Sequence, residues 1–123
     1  MNDATQTKYS FQEKWRVSPG FQIGGLEAFD SDTLAWIVTR NGFRSVAHLG
    51  TYLESFETIL DAGCGNGRIL GLFSSILRSE HKLVGIDIAA AEIARSNLAD
   101  EPIAIFQGDL LDLAVISKMP RPD

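Results

Sequence analysis

Three glycines at alternate positions, Gly63, Gly65 and Gly67, follow Asp61 at the end of a short apolar run. Glycine adopts positive φ readily and has no Cβ, so a ligand can lie directly against the main chain of such a turn. The first N–H groups of a helix that begins near Gly67 would face the same space with a partial positive charge suited to a carboxylate or phosphate. The spacing therefore predicts a binding turn for a nucleotide-sized ligand.

The residues around the turn favour some ligands over others. A phosphate loop of the NTPase kind has Gly-Lys-Ser/Thr at the helix start, whereas this chain has Gly67-Arg68-Ile69. The dinucleotide fingerprint places its third glycine three positions after the second, and here Gly67 comes one position early. Asp61 would repel a pyrophosphate but attract an ammonium or sulfonium, directly or through a water. A ligand that carries such a cation is the better electrostatic match.

The elements that position this turn follow from the change in hydrophobic periodicity. Short β-rich runs end in Asp61, Asp87 and Asp109, and amphipathic stretches separate them. This alternation implies right-handed crossovers and a parallel sheet. Because parallel strands bring their C-terminal ends to one edge, the three aspartates are expected along a common rim. The predicted strands are 58–61, 82–87 and 103–109, and the predicted helices are 68–78 and 90–99.

The chain before the sheet divides into an arm and a helical segment. Residues 1–30 are polar and rich in turn formers, which indicates an arm or lid whose Phe11 and Trp15 could close over a ligand. Residues 32–55 have helical spacing that Asn41-Gly42 interrupts, and there Trp36 is expected in a core or interface. The residues with N-cap chemistry are Asp30, Ser31 and Asp32 for the first helix and Ser45 for the second.

Composition bounds the class of protein. The length of 123 residues allows one domain, and 45% hydrophobic with 22% charged residues is typical of a globular chain. The net charge of −5 gives no footprint for generic nucleic-acid binding. A single cysteine, Cys64, excludes an internal disulfide and favours a reducing compartment, the cytoplasm by default.

Membrane and metal binding are not expected either. The chain has no run of about 20 apolar residues and no apolar segment of the signal-peptide kind near its start. His48 and His81 lack an acidic partner at metal-ligand spacing, so no metal site is predicted. The last stretch, 110–118, is predicted to form one more short helix before Pro120.

The strand, turn and helix around the glycines resemble a known family. Asp61-x-Gly63-x-Gly65-x-Gly67 is similar to the first motif of the class I S-adenosylmethionine-dependent methyltransferases, with Asp87 closing the second strand. The resemblance covers about residues 56–113. It implies a Rossmann-like α/β fold with S-adenosyl-L-methionine as cofactor. Residues 31–123 would then be a partial domain, with three strands in the order 3-2-1, that supplies the cofactor-binding half of a methyltransferase.

The resemblance also implies roles for individual residues. Gly63 and Gly65 would pass under the methionine and ribose part of the cofactor, and Asp61 would hold its amino group, commonly through water. Asp87 would accept the two ribose hydroxyls, and Ile88 would cover one face of adenine. Asp109 and Leu110 would meet the adenine edge and its other face. The cofactor site assigned in this way comprises Asp61, Gly63, Cys64, Gly65, Asn66, Gly67, Asp87, Ile88, Gly108, Asp109 and Leu110.

Several of these residues have structural alternatives. Asp87 and Asp109 could instead cap the helices that follow them, and Asn66 is expected to cap the helix after the turn. Cys64, between two glycines, is expected to fill the turn rather than act as a nucleophile. The run Ala89-Ala90-Ala91 offers no side-chain acceptor where the family commonly has a serine. No residue is identified as a catalytic base.

The sequence departs from the family pattern at its end. The family's sheet has the order 3-2-1-4-5-7-6, whereas this sequence stops at Asp123. Without a fourth strand the edge at 58–61 would be open, so we expect either a longer protein or a second copy that covers it in a homodimer. The methyl acceptor would be a small molecule or a polymer. The alternatives are a non-catalytic binding module and, disfavoured by the glycine spacing, half of an NAD-dependent oxidoreductase.

Overall fold

A computed structural model describes residues 27–79 and 82–112, together with Thr5, Lys8, Glu13 and Ser117. Most of the arm predicted for residues 1–30 lies outside the described residues, as do Phe11, Trp15 and His81, whereas residues 27–30 belong to the first helix. Most of the short helix predicted over 110–118 also lies outside them. In chain order the elements are helix α1 (Glu27–Arg40), helix α2 (Val46–Glu54), strand β1 (Thr58–Ala62), helix α3 (Arg68–Ile76), strand β2 (Lys82–Asp87), helix α4 (Ala91–Asn97) and strand β3 (Ile103–Gln107).

The three strands form one parallel sheet in which β2 lies between β1 and β3. The register pairs Leu60 with Val84 and Gly85 with Ile105. The Rossmann-like α/β class and the parallel sheet predicted from the alternating periodicity are confirmed. β1 is one edge of this sheet, and association of a second copy along that edge stays a prediction.

The strand boundaries decide where the predicted aspartates lie. β2 ends at Asp87 as predicted, whereas β1 continues one residue beyond Asp61. β3 ends at Gln107, so Asp109 lies in the loop after the strand and not at its last position. All three residues lie toward the C-terminal ends of parallel strands, because neighbouring strands run in the same direction.

The N-cap expected for α1 is wrong, and Trp36 is not in the core. The helix begins at Glu27, so Asp30, Ser31 and Asp32 lie inside it and are not its N-cap. Asp and Ser in a helix cost at most about 0.7 kcal/mol each relative to alanine, which does not stop a helix from extending through them. Trp36 is 62% exposed and does not belong to the core, so the alternative that it lies in an interface stays a prediction.

The boundaries of the other helices agree better with the sequence. Ser45 caps α2, as predicted, because its Oγ accepts a hydrogen bond from the backbone N of His48 at 3.0 Å. α3 ends at Ile76, two residues before the predicted end, because the next residue is extended. The carboxylate of Glu54 then accepts hydrogen bonds from the backbone N–H groups of Arg78 and Ser79.

The buried side chains form two clusters, one around the sheet and α4 and one between the two N-terminal helices. Ile59 and Leu77 are partly buried and pack against both clusters, which makes the two continuous. The cluster beneath the glycine turn contains Cys64, Leu70, Leu83, Ala91, Ala94, Leu98 and Ile105. The cluster of the two N-terminal helices contains Ile37, Val38, Leu49 and Leu53. The turn between β1 and α3 is therefore supported from below by apolar packing against α4.

Gly85 is a sensitive point of this packing. A Cβ at Gly85 would lie 2.8 Å from the Cδ1 atoms of Ile105 and Leu70 and 2.9 Å from Sγ of Cys64. We expect Gly85→Ala to lower the free energy of unfolding by about 1–3 kcal/mol, because the core must move to admit the methyl group. Urea unfolding followed by circular dichroism measures this change.

Gly50→Ala is the matched control for Gly85→Ala. A Cβ at Gly50 would lie 3.6 Å from the carbonyl oxygen of Ile76, an ordinary contact, and alanine is the better helix former by about 1 kcal/mol. We expect the control to be as stable as the original protein or more stable. Equal stability of the two variants would contradict the packing described for Gly85.

Candidate functional site

The turn between β1 and α3 has the backbone conformation that its glycines predict. The φ angles of Gly63, Gly65 and Gly67 are 81°, 56° and 87°. A Cβ at Gly63 would meet nothing within 4 Å, so the first glycine faces open space. A Cβ at Gly67 would lie 2.5 Å from Cδ1 of Leu98. Gly67 is therefore required for packing against the residue after α4, and the expectation that all three glycines open the turn to a ligand is wrong there.

The first half of the turn is bonded to the end of β2. The backbone N atoms of Gly63 and Cys64 donate to the carbonyl oxygen of Ile86, at 2.8 and 3.0 Å. The backbone N of Gly65 donates to Oδ2 of Asp87 at 2.9 Å. The turn thus lies against the neighbouring strand, and its shape depends on residues more than 20 positions away.

The second half of the turn uses its N–H groups locally. The backbone N of Gly67 donates to the carbonyl oxygen of Cys64 at 3.0 Å. The backbone N of Arg68 donates to Oδ1 of Asn66 at 3.3 Å, but the N-cap of α3 is Gly67, so the prediction that Asn66 caps the helix is wrong by one position. These N–H groups already have acceptors within the protein. The N–H groups of Gly67 and Arg68 therefore do not contribute to the anion-binding helix start that the sequence predicted.

Asp87 is the polar centre of the rim. In addition to the bond from Gly65, its Oδ1 accepts hydrogen bonds from the backbone N atoms of Ala89 and Ala90, both at 2.8 Å. As the capping alternative predicted, the Asp87 side chain accepts N–H groups just before α4. The N-cap residue of α4, Ala90, has no side chain that could do so. A carboxylate has about four acceptor positions, so three N–H donors leave room for another donor from a ligand.

Asp61 and Asp87 interact electrostatically across the ends of β1 and β2. Burial, and after it the negative charge of Asp87, raise the pKa of the half-buried Asp61 carboxyl above its usual range. Both effects disfavour the ionised form of Asp61. A ligand cation near the two carboxylates would offset both, so this part of the rim attracts positive charge and repels anions.

The side chain of Cys64 belongs to the apolar core and not to the exposed surface of the turn. The side chain is buried, and burial together with Asp61 and Asp87 raises its pKa to about 12. A thiol with this pKa stays protonated at neutral pH and is a poor nucleophile. Its role as a small packing residue is confirmed by the close approach of its Sγ to Gly85.

The end of β3 extends the rim by one strand. The backbone N of Gly108 donates to the carbonyl oxygen of Asp87 at 3.2 Å, which brings the two strand ends together. Oδ1 of Asp109 accepts a hydrogen bond from the backbone N of Leu111 at 2.9 Å and so stabilises the turn after β3. Ile88 is partly buried, and Leu110 is 43% exposed.

Some residues that shape the site have no signal in the sequence. Nδ2 of Asn97 donates to the carbonyl oxygen of Asn66 at 3.1 Å, across 31 positions of the chain. Leu98 packs beneath Gly67, and Ile86 contributes only its carbonyl oxygen. None of these side chains stands at a spacing typical of a binding motif. Only the packing of α4 under the turn identifies them.

Two further classes of site were searched for in the described part of the chain. No group of three or more His, Cys, Asp or Glu side chains there is placed to hold a metal ion. No described helix has the length and apolar character needed to cross a membrane. Nδ1 of His48 accepts a hydrogen bond from the backbone N of Arg44 at 3.0 Å, at the start of α2.

Comparisons with known proteins identify the segment that contains the rim. Residues 60–118 match the family model described as a methyltransferase domain. The chain is 33% identical over 79 residues to a probable methyltransferase, ltbC, from Aspergillus luteorubrus, and the match covers 64% of this chain and 27% of that protein. It also aligns with the crystal structure of the O-methyltransferase TomG from Streptomyces achromogenes in complex with SAM, at 18% identity and a TM-score of 0.48, over 98% of this chain and 58% of that one.

Residues 60–118, just under half of the chain, are therefore similar to a methyltransferase domain, which is the class of protein that the glycine and aspartate pattern predicted. The match agrees with the resemblance to methyltransferases that the sequence indicates, and the cofactor is taken up as a proposal below. The chain spans about a quarter of the length of its curated relative.

The raised pKa of Asp61 implies that the stability of the protein depends on pH. A group whose pKa is raised on folding is most favourable to the folded state when protonated, so its effect on stability is lost as pH rises through the folded-state pKa. Asp61→Asn removes the buried charge. We expect a higher melting temperature than that of the original protein at neutral pH, and a difference that disappears below the ordinary pKa of 3.8.

Thermal unfolding at several pH values measures the effect of Asp61→Asn. Asp100→Asn, at an exposed position after α4, makes the same chemical change on the surface and is expected to alter stability by less than about 0.5 kcal/mol. A lower melting temperature for Asp61→Asn at neutral pH would contradict the proposed cost of the buried carboxylate.

Proposed function

We propose that this chain binds S-adenosylmethionine along the rim formed by Asp61, the glycine turn and Asp87, as the cofactor-binding part of a methyltransferase. One observation carries the proposal. Two interacting carboxylates stand at the ends of adjacent strands, beside a turn whose N–H groups already donate within the protein. Such a site favours a cation and hydroxyl donors and disfavours phosphate.

Asp61 would hold the amino group of the methionine part. Its carboxylate is half-buried, and burial and Asp87 disfavour its charge, so a bound ammonium gains more here than at an exposed aspartate. Gly63 supports this placement, because a Cβ there would enter a space that holds no atom of the described residues within 4 Å. The amino acid part of the cofactor would lie in that space against the main chain.

Asp87 would accept one ribose hydroxyl, since three backbone bonds leave about one of its four acceptor positions free, and not both hydroxyls as the resemblance implies. Its carboxylate retains acceptor capacity after the three backbone bonds, and these bonds fix both oxygens in position. The neighbouring Ile88 would contact one face of adenine. Asp109 and Leu110, in the turn after β3, would meet its edge and its other face.

The reaction would be an in-line displacement. Bound S-adenosylmethionine supplies a methyl group on a sulfonium, and the electrons of the C–S bond return to sulfur as the methyl passes to a nucleophilic oxygen, nitrogen or carbon of the acceptor. The protein's task is mainly alignment of donor and acceptor. The acceptor is a small molecule or a polymer, and it would lose its proton to a base or to water.

Ligand titration tests the cofactor class. We expect calorimetric binding of S-adenosylhomocysteine and no measurable binding of NAD or AMP at the same concentrations, because phosphate would face the carboxylates of Asp61 and Asp87, and the N–H groups of Gly63, Cys64 and Gly65 already donate within the protein. AMP is the matched probe, since it keeps adenine and ribose and adds only a phosphate. Binding of NAD or AMP in preference to S-adenosylhomocysteine would overturn the proposal.

A second titration tests the role of Asp61. S-adenosylhomocysteine carries the amino acid part, whereas 5′-methylthioadenosine lacks it. We expect Asp61→Asn to weaken the binding of S-adenosylhomocysteine by about 1.5 kcal/mol or more. The binding free energy of 5′-methylthioadenosine should change by less than about 0.5 kcal/mol. Equal losses of affinity for the two compounds would show that Asp61 does not bind the amino group. Since the same variant is expected to be more stable, weaker binding could not be attributed to unfolding.

A further inference from the structure

The carboxylate of Asp87 connects three parts of the chain. Oδ2 accepts the N–H of Gly65 in the glycine turn, and Oδ1 accepts the N–H groups of Ala89 and Ala90 before α4. The three distances are 2.9, 2.8 and 2.8 Å. An asparagine has a single acceptor oxygen, and its amide nitrogen would face one of these N–H groups donor to donor. Only a carboxylate at position 87 serves both sides.

The rest of the turn is held by other groups. Gly63 and Cys64 donate to the carbonyl oxygen of Ile86, and the carbonyl oxygen of Asn66 accepts from the side chain of Asn97. Gly65 lies between these two anchors, with a left-handed backbone at φ 56° and its N–H on Asp87. The middle of the turn therefore depends on the carboxylate of Asp87, while the two ends do not.

We infer that Asp87 is a positioning residue that holds Gly65 in the conformation that accepts the methionine part of the cofactor. This inference rests on the proposed function and goes beyond the ribose contact of Asp87. The same carboxylate would set the ribose position by direct contact and the turn under the methionine part through the Gly65 N–H. Loss of Asp87 would then weaken contacts to a part of the ligand that Asp87 does not touch.

Amide hydrogen exchange on the ligand-free full chain tests the structural half of the inference. In Asp87→Asn we expect the Gly65 amide to exchange about tenfold faster or more, because a charge-assisted hydrogen bond is lost. The amides of Gly63 and Cys64 serve as internal references and should change little. Asp109→Asn makes the same change at the next strand end, where the carboxylate holds Leu111, and it should leave Gly65 unchanged.

Titration with two ligands tests the functional half. S-adenosylhomocysteine and 5′-methylthioadenosine carry the same ribose hydroxyls, and only the former has the amino acid part. Loss of a residue that contacts only the ribose would weaken the binding of both compounds by the same factor. If Asp87 also positions the turn, Asp87→Asn lowers the affinity for both compounds but lowers that for S-adenosylhomocysteine more. We expect the fold-loss of affinity for S-adenosylhomocysteine to be at least about five times the fold-loss for 5′-methylthioadenosine.

The inference is overturned if Gly65 exchange is unchanged in Asp87→Asn or if the two ligands weaken equally. The exchange measurement needs no ligand, so its failure is separate from failure of the proposed function, which would appear as no binding of S-adenosylhomocysteine by the original protein. If Asp87→Asn does not fold, Asp87→Glu keeps the charge but moves both oxygens by one methylene. The same two measurements on Asp87→Glu then decide, with the same expected directions.

Discussion

The rim depends on one set of hydrogen bonds, in which the carboxylate of Asp87 accepts main-chain N–H groups from two separate segments. Two oxygens with several lone pairs are required, because the donors approach from both sides of the side chain. The last residue of β2 is thereby connected to the glycine turn and to the start of α4. A parallel sheet makes this possible, since it places the end of β2 beside the turn that leaves β1.

The same arrangement has an electrostatic cost. Asp61 is half-buried beside a second carboxylate, and its raised pKa records how unfavourable its charge is there. Core packing gives no reason to keep an aspartate at this position. Local costs of this kind are expected at functional sites, where a ligand supplies the missing partner. A cation at the methionine end of S-adenosylmethionine is such a partner, which connects the cost to the proposed role.

The glycines of the turn have different structural roles although they are equally spaced. Gly63 leaves open space above the main chain, whereas Gly67 admits Leu98 from below. Gly85, in the neighbouring strand, makes room for Cys64 under the same turn. The thiol is consequently a buried packing group with its pKa raised to about 12. The floor of the site is apolar and closely packed, and its polar groups are concentrated on the rim.

The sequence by itself determined the features that depend on short-range patterns. These are the alternation of strands and helices, the Ser45 cap, the end of β2 at Asp87 and the positive φ of the three glycines. Tertiary structure decided the acceptors of the N–H groups of Gly63, Cys64 and Gly65, because those acceptors, on Ile86 and Asp87, lie more than 20 positions away. It also decided the exposure of Trp36, since helical spacing alone does not say which face of a helix meets the core. A local pattern specifies backbone conformation, whereas hydrogen-bond partners and burial depend on segments that meet only after folding.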